Sequence, residues 1–293
     1  MSAHPHFGEV AVIGTGLVGT SLLMALKKAG VVDRTVGYDA NRARVHLAKE
    51  RGAIDRIADS AGEAAASANL VVLATPVGTL ATVLGEIAPV LSARPQTLIT
   101  DVGSTKAQVV ADALRILPHS AQFVGGHPIA GLEKSGPEVA RADLFIGRTC
   151  LLTPVANTDP HALSAVHGVW LAAGATRVVE LAPAEHDRML AFTSHLPHAV
   201  AFALAAAVGG EAASLSGLAA GGFADTTRIA ASDLVMWRDI FLANRESLLS
   251  ALDHFEREWG KLRRAIATED ARAMRTIIEA AHAGRQRILE GGQ

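Results

Sequence analysis

Strands and helices alternate through the first half of the chain, and this alternation limits the possible folds more than any other feature. Four apolar, β-branched runs indicate strands buried on both faces, at 10–13, 35–38, 70–74 and 97–100. Helical patterns fall between them, at about 17–30, 41–51, 79–91 and 105–116. Further strands are expected near 122–124, 149–153 and 176–180, with a helix at about 160–173. This order predicts an α/β fold, with a doubly wound, Rossmann-type sheet over residues 1–182.

From Pro183 to its end, the chain has the pattern of helix alone. Apolar residues recur at helical spacing, as at Leu248, Leu249, Leu252, Phe255, Trp259 and Leu262. We therefore predict an all-helical C-terminal domain over residues 183–293 that binds substrate. Its apolar surface is large for about 110 residues, which favours a homodimer formed through this domain. An ordinary intramolecular core is the alternative.

Composition excludes several classes of partner. The chain is 49% hydrophobic and 19% charged, which is typical of a globular protein. A net charge of −2 without a long basic run argues against a nucleic-acid or membrane-surface partner. The single cysteine, Cys150, favours a reducing cytoplasm, and no signal peptide is evident. The most apolar stretch, Ala199–Val208, is shorter than the ~20 residues that span a bilayer, so we expect a cytoplasmic protein with no membrane partner.

A glycine motif follows the first predicted strand and opens the first helix. Gly14 permits a tight turn, Gly16 lets a pyrophosphate approach the backbone, and Gly19 lets the helix pack on the strand. Leu17 and Val18 then lie in the first turn of the helix, whose amides bind phosphate well. The pattern predicts a dinucleotide site; a glycine turn without a ligand is the alternative.

The cofactor is expected to be NAD, with NADP less favoured. Asp39 ends the second predicted strand, 20 residues after Gly19. A carboxylate there accepts hydrogen bonds from ribose hydroxyls and repels a 2′-phosphate. Arg42 and Arg44 follow closely and could pair with that phosphate, which keeps NADP open.

Two loops after later strands are expected to line the nicotinamide, because ligands bind beyond the carboxyl ends of parallel strands. One contains Thr75 and Pro76, and the other runs through Asp101, Gly103 and Ser104. Ser104 also fits as the N-cap of the helix at 105–116, and spacing alone does not separate that role from a catalytic one.

His127 is the candidate general base. It lies in residues 125–131, which are too rich in glycine and proline to predict a regular helix or strand. A neutral imidazole there can take a proton from a substrate hydroxyl while a nicotinamide takes the hydride. The alternative is a loop histidine that caps backbone groups.

Several separated motifs together resemble the prephenate/arogenate dehydrogenase family of tyrosine biosynthesis. The resemblance covers nearly the whole chain and rests on Asp101–Lys106 (DVGSTK), Gly126–Gly136 (GHPIAGLEKSG), Glu185–Asp187 (EHD), Ser194–His198 (SHLPH) and Gly222–Asp233 (GFADTTRIAASD), with Trp237. It implies an oxidative decarboxylation: hydride leaves C4 of prephenate for NAD+, the C4 hydroxyl loses its proton, and CO2 departs as the ring becomes aromatic. The product would be 4-hydroxyphenylpyruvate, or tyrosine when arogenate is the substrate.

The resemblance also implies roles for individual residues. His127 would be the base, Ser104 would orient the hydroxyl and the nicotinamide, and Arg228 would grip a substrate carboxylate. Further substrate-site positions are His198 at the side-chain end, His186, Glu133 near the entrance, and Trp237. From spacing alone, a surface salt bridge for Arg228 and a solvated Glu133 stay open.

One position departs from the family pattern. Ala224 stands where many members have Arg or Lys, which puts the choice between prephenate and arogenate in more doubt than the reaction type. No room is expected for an appended regulatory domain, so inhibition by tyrosine would occur at the active site.

Four alternatives stay open from the sequence. His195 and His198 share a helix face but lack further ligands, so no metal site is expected. A β-hydroxyacid dehydrogenase would use a catalytic lysine, and no lysine lies between Lys134 and Lys261. A non-catalytic NAD-sensing protein would have no reason to keep His127 with Arg228. A relative acting on a modified prephenate in secondary metabolism is compatible with Ala224.

Overall fold

The predicted sheet is present and has eight strands. The computed structural model describes residues 5–132, 134–210, 215, 217–218 and 220–290. The strands are β1 (Phe7–Ile13), β2 (Val32–Tyr38), β3 (Arg56–Ile57), β4 (Leu70–Leu73), β5 (Leu98–Asp101), β6 (Phe123–Pro128), β7 (Thr149–Thr153) and β8 (Arg177–Glu180). Their order is β3-β2-β1-β4-β5-β6-β7-β8. All neighbours are parallel except β6 and β7, which run antiparallel.

Helices cover both faces of the sheet, as the strand pattern predicts. They are α1 (Leu17–Ala29), α2 (Arg42–Glu50), α3 (Ala61–Ala65), α4 (Leu80–Leu91), α5 (Ala107–Ile116) and α6 (Pro160–Ala172). Successive β1 side chains enter different cores: Val10 and Val12 pack with α1 and α6, and Ala11 and Ile13 pack with α3, α4 and α5. Strands buried on both faces therefore account for the continuous apolar runs.

Every described element after β8 is helical, in agreement with the predicted C-terminal pattern. The helices are α7 (Pro183–Leu190), α8 (Leu196–Gly209), α9 (Gly221–Thr227), α10 (Leu234–Ala243), α11 (Arg245–Ala267) and α12 (Ala271–Glu290). A π-helical turn, Ala191–His195, joins α7 to α8. The chain forms two compact units, Met1–Arg245 and Glu246–Gln293. The division of domains at residue 182 stays a prediction, and α7 to α10 belong to the same compact unit as the sheet.

The run from α7 to α8 is long and apolar enough, by length and composition alone, to span a membrane. The sequence expectation considered only the ten residues of Ala199–Val208. The longer run also carries His186, Asp187 and His195, whose side chains are buried within the first unit. Polar groups of this kind are costly in a bilayer, so we interpret the run as part of the folded first unit rather than as a membrane span, although only 17% of its apolar window is buried.

The expectation that His127 lies outside regular structure is wrong. Gly125 to Pro128 form the last four residues of β6, and they pair with Thr153 to Cys150 of β7. The glycines are required by close packing rather than by a turn. A Cβ on Gly126 would lie 2.7 Å from the backbone oxygen of Asp101, so only glycine lets β6 approach β5 here. The short β3 and α3 were also absent from the sequence prediction.

Candidate active site

The glycine motif forms a cradle at the carboxyl end of β1. Gly14 has φ of +101°, and a Cβ there would lie 2.5 Å from the backbone of Ala74. Gly16 precedes α1 in extended conformation, and no described atom lies within 4 Å of the position of its absent Cβ. Among the described residues no side chain caps α1, so the amides at Leu17, Val18 and Gly19 lack an intrahelical partner. The cradle therefore has both room and donors for a pyrophosphate.

Asp39 follows β2 and is tied to this cradle. Its carboxylate accepts hydrogen bonds from the Thr15 amide at 2.8 Å and from the Asn41 amide at 2.8 Å. The first bond joins the end of β2 to the glycine loop, so the carboxylate lies beside the turn that would hold the pyrophosphate. Arg42, by contrast, donates to the Ala58 carbonyl and to Asp59, both at 3.0 Å.

The loops after β4 and β5 reach the same edge of the sheet. Thr75 and Pro76 lie two and three residues after the end of β4, and Thr105 lies two residues before α5. The hydroxyls of Thr75 and Thr105 are buried without a hydrogen-bond partner among the described residues. The Ser104 hydroxyl also makes no hydrogen bond within that part of the chain, and its side chain is half-buried. Unpaired polar atoms beside the cradle fit a dinucleotide bound at this edge.

A buried ion pair fixes the loop after β5. Asp101 and Lys106 contact each other with no exposed side-chain surface on either residue. Asp101 also accepts the Gly103 amide at 2.8 Å and the Gly126 amide at 3.1 Å. Any contribution of this carboxylate to cofactor binding is therefore indirect: it holds the loop that carries Ser104 against the strand that carries His127.

Of the two roles left open for Ser104, the structure excludes the N-cap of α5. The helix begins at Ala107, and its N-terminus is capped from a distant element. Asp187 of α7 accepts hydrogen bonds from the Lys106 amide at 2.7 Å and the Ala107 amide at 2.9 Å. Because Asp187 satisfies these amides, the Ser104 hydroxyl is not used for capping.

Three side chains form a hydrogen-bonded chain that ends at His127. Asp187 contacts Nδ1 of His186 at 2.8 Å, and Nε2 of His186 contacts Nδ1 of His127 at 2.9 Å. His186 has no exposed surface, whereas His127 is half-buried. His186 was expected to shape the substrate pocket, but it lies buried behind His127. It can therefore act on the substrate only through His127.

Burial and charge keep this pair of histidines neutral. Burial, and then the neighbouring His186 and Lys106, hold the pKa of His127 well below 6.5. Burial also lowers the pKa of His186, although its hydrogen bond to Asp187 opposes that shift. A neutral His127 has one nitrogen lone pair, which a general base requires.

Two of the remaining candidates, His198 on α8 and Trp237 on α10, form an aromatic cluster. His198 stacks on Trp237, with ring centroids 3.5 Å apart. Burial, and in addition the charge of Arg228, lower the pKa of His198, against its hydrogen bond to the Ser194 carbonyl. Arg228 is exposed, so its guanidinium can meet an anionic substrate close to the His198 ring. Glu133 lies outside the described residues.

His195 has a different partner from His198 and forms no shared ligand site with it. The Asn244 side-chain amide donates to Nδ1 of His195 at 3.0 Å and to the Asp187 carbonyl at 2.7 Å. His195 and Trp237 each keep a buried ring nitrogen without a partner among the described residues. No group of three metal-binding side chains occurs in the described ranges.

Sequence reasoning did not assign Asp187, Lys106 or Asn244. Asp187 stood in the quoted EHD motif, and its neighbour His186 was singled out alone. A carboxylate next to a buried histidine was the available signal. For Lys106 the signal was an opposite charge five residues away, at Asp101 in the same quoted motif. Asn244 gave none, because its partners lie on other elements.

Comparison with known proteins assigns the family. The family model for the nucleotide-binding domain of prephenate dehydrogenase matches residues 22–179, and the model for its dimerization domain matches residues 182–280. The chain belongs to the prephenate dehydrogenase family. Prephenate dehydrogenase of Bacillus subtilis is 40% identical over 266 residues, which are 89% of this chain and 71% of that protein. Cyclohexadienyl dehydrogenase of Zymomonas mobilis is 37% identical over 269 residues, covering 90% of both chains.

A solved member of the family has the same fold. The crystal structure of prephenate dehydrogenase from A. aeolicus, in complex with hydroxyphenyl propionate and NAD+, superposes with a TM-score of 0.85. It is 34% identical and covers 96% of this chain and 98% of its own. Family membership confirms the resemblance and makes this chain an oxidoreductase with a nucleotide-binding domain. The β-hydroxyacid dehydrogenase and NAD-sensing alternatives lose their support.

The buried histidines predict how stability depends on pH. Burial lowers the pKa of His195 to about 4, from 6.5. Between these values the unfolded chain binds a proton that the folded chain does not, so this contribution to stability is complete above pH 6.5 and is lost as pH falls toward 4. We expect the free energy of unfolding of the wild type to fall by roughly 2 kcal/mol more than that of His195→Asn between about pH 7.5 and pH 5.

Urea unfolding at the two pH values measures, for each protein separately, how much the free energy of unfolding changes with pH. A general loss of stability in the variant therefore cancels. His46→Asn, at an exposed position of α2, is the control and should follow the wild type. An equal loss in wild type and His195→Asn would contradict the burial of a neutral His195.

Proposed function

We propose that this family member catalyses the NAD+-dependent oxidative decarboxylation of prephenate to 4-hydroxyphenylpyruvate, or of arogenate to tyrosine. The observation that carries the proposal is the hydrogen-bonded chain from Asp187 through His186 to His127, located at the sheet edge that holds the glycine cradle. The base that would take the hydroxyl proton and the site that would hold the hydride acceptor then lie at the same edge of the sheet.

His127 and Ser104 handle the proton in this proposal. Bound NAD+ supplies the acceptor for the hydride from C4. Nε2 of His127 takes the proton of the C4 hydroxyl as the C4–oxygen double bond forms. The bond to the ring carboxylate then breaks, CO2 leaves, and its electron pair makes the ring aromatic. The proton returns from His127 to the ring oxygen, so no net proton is released. The free Ser104 hydroxyl orients the reacting C4 hydroxyl.

NAD is favoured over NADP on the position of Asp39. Its carboxylate is fixed by the Thr15 amide beside the cradle, where a 2′-phosphate would add a second negative charge. Arg42 is engaged by Asp59 and the Ala58 carbonyl, which supports the same preference.

The substrate's carboxylates are assigned to the region around Arg228. Its charge lies near the stacked rings of His198 and Trp237, which offer a flat surface beside a cation. Glu133 is kept as an entrance residue. Ala224 is exposed and brings no charge, so Arg228 carries more of the attraction. Prephenate, arogenate and a modified prephenate are the candidate substrates. Tyrosine would inhibit by competing with the substrate at this site.

We propose a homodimer formed through the helical part, in a cytoplasmic protein. Large apolar side chains are exposed there: Leu218 at 73%, Leu234 at 76% and Leu242 at 66%. A second copy that covers them removes a large apolar surface from water. The match of residues 182–280 to the dimerization-domain family supports the homodimer. The single, buried Cys150 supports the cytoplasmic location.

His127→Asn tests the general base. NADH formation is measured with prephenate or arogenate, each with NAD+ and NADP+. We expect turnover with NAD+, and His127→Asn to lower kcat about 10²- to 10⁴-fold with little change in the Kd of NAD+. His46→Asn is the matched control. Unchanged turnover in His127→Asn would remove this residue from the mechanism, and a preference for NADP+ would contradict the cofactor assignment.

Arg228→Ala tests the binding of a substrate carboxylate. Arg228→Ala removes charge-assisted hydrogen bonds to a carboxylate, so we expect KM for the substrate to rise about tenfold to a hundredfold while the Kd of NAD+ stays constant. Steady-state kinetics and a cofactor titration separate the two. Equal effects on substrate and cofactor would show a structural role instead.

Leu234→Glu tests the dimer. Leu234→Glu replaces an exposed apolar side chain of α10, so it should leave a monomer folded and break a dimer. Light scattering should give twice the 30.4 kDa chain mass for the wild type and a lower mass for the variant. Leu114→Glu, on α5 of the sheet domain, should remain dimeric. A wild type of single-chain mass would overturn the assignment.

A further inference from the structure

Asp187 is a buried carboxylate with three donors around it. Only 3% of the residue is exposed. Its Oδ1 contacts the Lys106 amide at 2.7 Å and Nδ1 of His186 at 2.8 Å, and its Oδ2 contacts the Ala107 amide at 2.9 Å. A carboxylate at a helix N-terminus accepts such bonds and interacts favourably with the helix dipole. In this arrangement Asp187 acts purely as an acceptor.

The chain of contacts determines where each histidine proton lies. Because Asp187 accepts, Nδ1 of His186 must carry hydrogen. In neutral His186 the lone pair is then on Nε2, which can only accept from Nδ1 of His127 at 2.9 Å. Nδ1 of His127 therefore carries hydrogen, and its lone pair is on Nε2. Reversing the first bond would reverse every later one.

The backbone of Asp187 is held as firmly as its side chain. Asn244, at the end of α10, donates to the Asp187 carbonyl at 2.7 Å and is 97% buried. The same amide contacts Nδ1 of His195 at 3.0 Å. A main-chain anchor on one side and the α5 N-terminus on the other leave the carboxylate little freedom to turn away from His186.

We propose that Asp187 is the positioning residue of the reaction: it sets the tautomers of His186 and His127, and by capping α5 it holds the loop of Ser104 beside them. The inference rests on the proposed role of His127 as base. Asp187 touches neither substrate nor cofactor in this assignment. Its effect reaches the reacting hydroxyl through His186, with one carboxylate serving both the base and the loop of the orienting hydroxyl.

Asp187→Asn is the direct test, because the side-chain size is kept and one acceptor becomes a donor. If the amide nitrogen faces His186, the tautomers reverse and His127 loses the lone pair on Nε2. If it faces Ala107, two donors oppose each other at the α5 N-terminus. We expect kcat to fall about 10²-fold or more, as for a wrong tautomer in an acid–base relay, with KM within a few-fold of wild type.

Nitrogen-15 NMR of the histidine rings gives a readout that a purely structural role would not move. His127 is assigned by comparison with His127→Asn. In the wild type we expect Nδ1 of His127 to be protonated and Nε2 to be free; in Asp187→Asn we expect this pattern to be reversed or mixed. A variant that keeps the wild-type tautomer and the wild-type kcat would overturn the proposal.

Two further variants separate the relay from the cap. His186→Leu breaks the relay and keeps Asp187 on α5, so it should lower kcat through the relay alone, by no more than Asp187→Asn does; if Asp187→Asn fails to fold, this variant carries the test. The double variant should lose little more than Asp187→Asn alone, because that variant already breaks the relay. If the fold-losses of kcat in the two single variants multiplied in the double variant, the relay would be overturned.

Asp159→Asn is the matched control, since Asp159 caps α6 through the His161 amide at 2.7 Å, outside the site. Because asparagine caps a helix about as well as aspartate, this variant should keep both its stability and its kcat close to wild type. If His127→Asn retains turnover while the tautomer of His127 still depends on Asp187, the catalytic role of His127 fails and the positioning by Asp187 stands.

Discussion

The buried contact between Asp101 and Lys106 is the interaction on which the arrangement of the site depends. Losing one partner would leave an uncompensated charge in the protein interior, which typically costs about 3–5 kcal/mol. The same carboxylate binds the amides of Gly103 and Gly126, so it joins the loop after β5 to strand β6. The positions of Ser104 and His127 relative to each other follow from this one group, which itself has no exposed surface.

The fold was predictable where local pattern and burial agree. Continuous apolar runs gave β1, β2, β4 and β5, because each strand is covered on both faces. The two-residue β3 and five-residue α3 are too short to show a period. The start of β6 was expected near 122–124, but its continuation through Gly125–Pro128 was missed because glycine lowers strand propensity, whereas here the absence of a side chain on Gly126 is what permits the close approach to Asp101.

The candidate site was predictable residue by residue but not as a network. The glycine motif, Asp39 and His127 follow from short-range spacing, and all lie at the carboxyl edge of the sheet. The connection from Asp187 to α5 spans about eighty positions of sequence, so no local pattern reveals it. For that reason Ser104 was a reasonable N-cap from the sequence, and the distant carboxylate took that role instead.

The cap from Asp187 has a consequence for how such proteins can be recombined. A nucleotide-binding half that ended at residue 182 would keep the glycine cradle but would lose Asp187, the acceptor for the first amides of α5. It would also lose His186, which lies behind His127. The nucleotide-binding half therefore cannot be exchanged between proteins as an independent unit. A graft onto a different helical partner would inherit a competent dinucleotide cradle with a misaligned base, unless the new partner supplied a carboxylate at the same place.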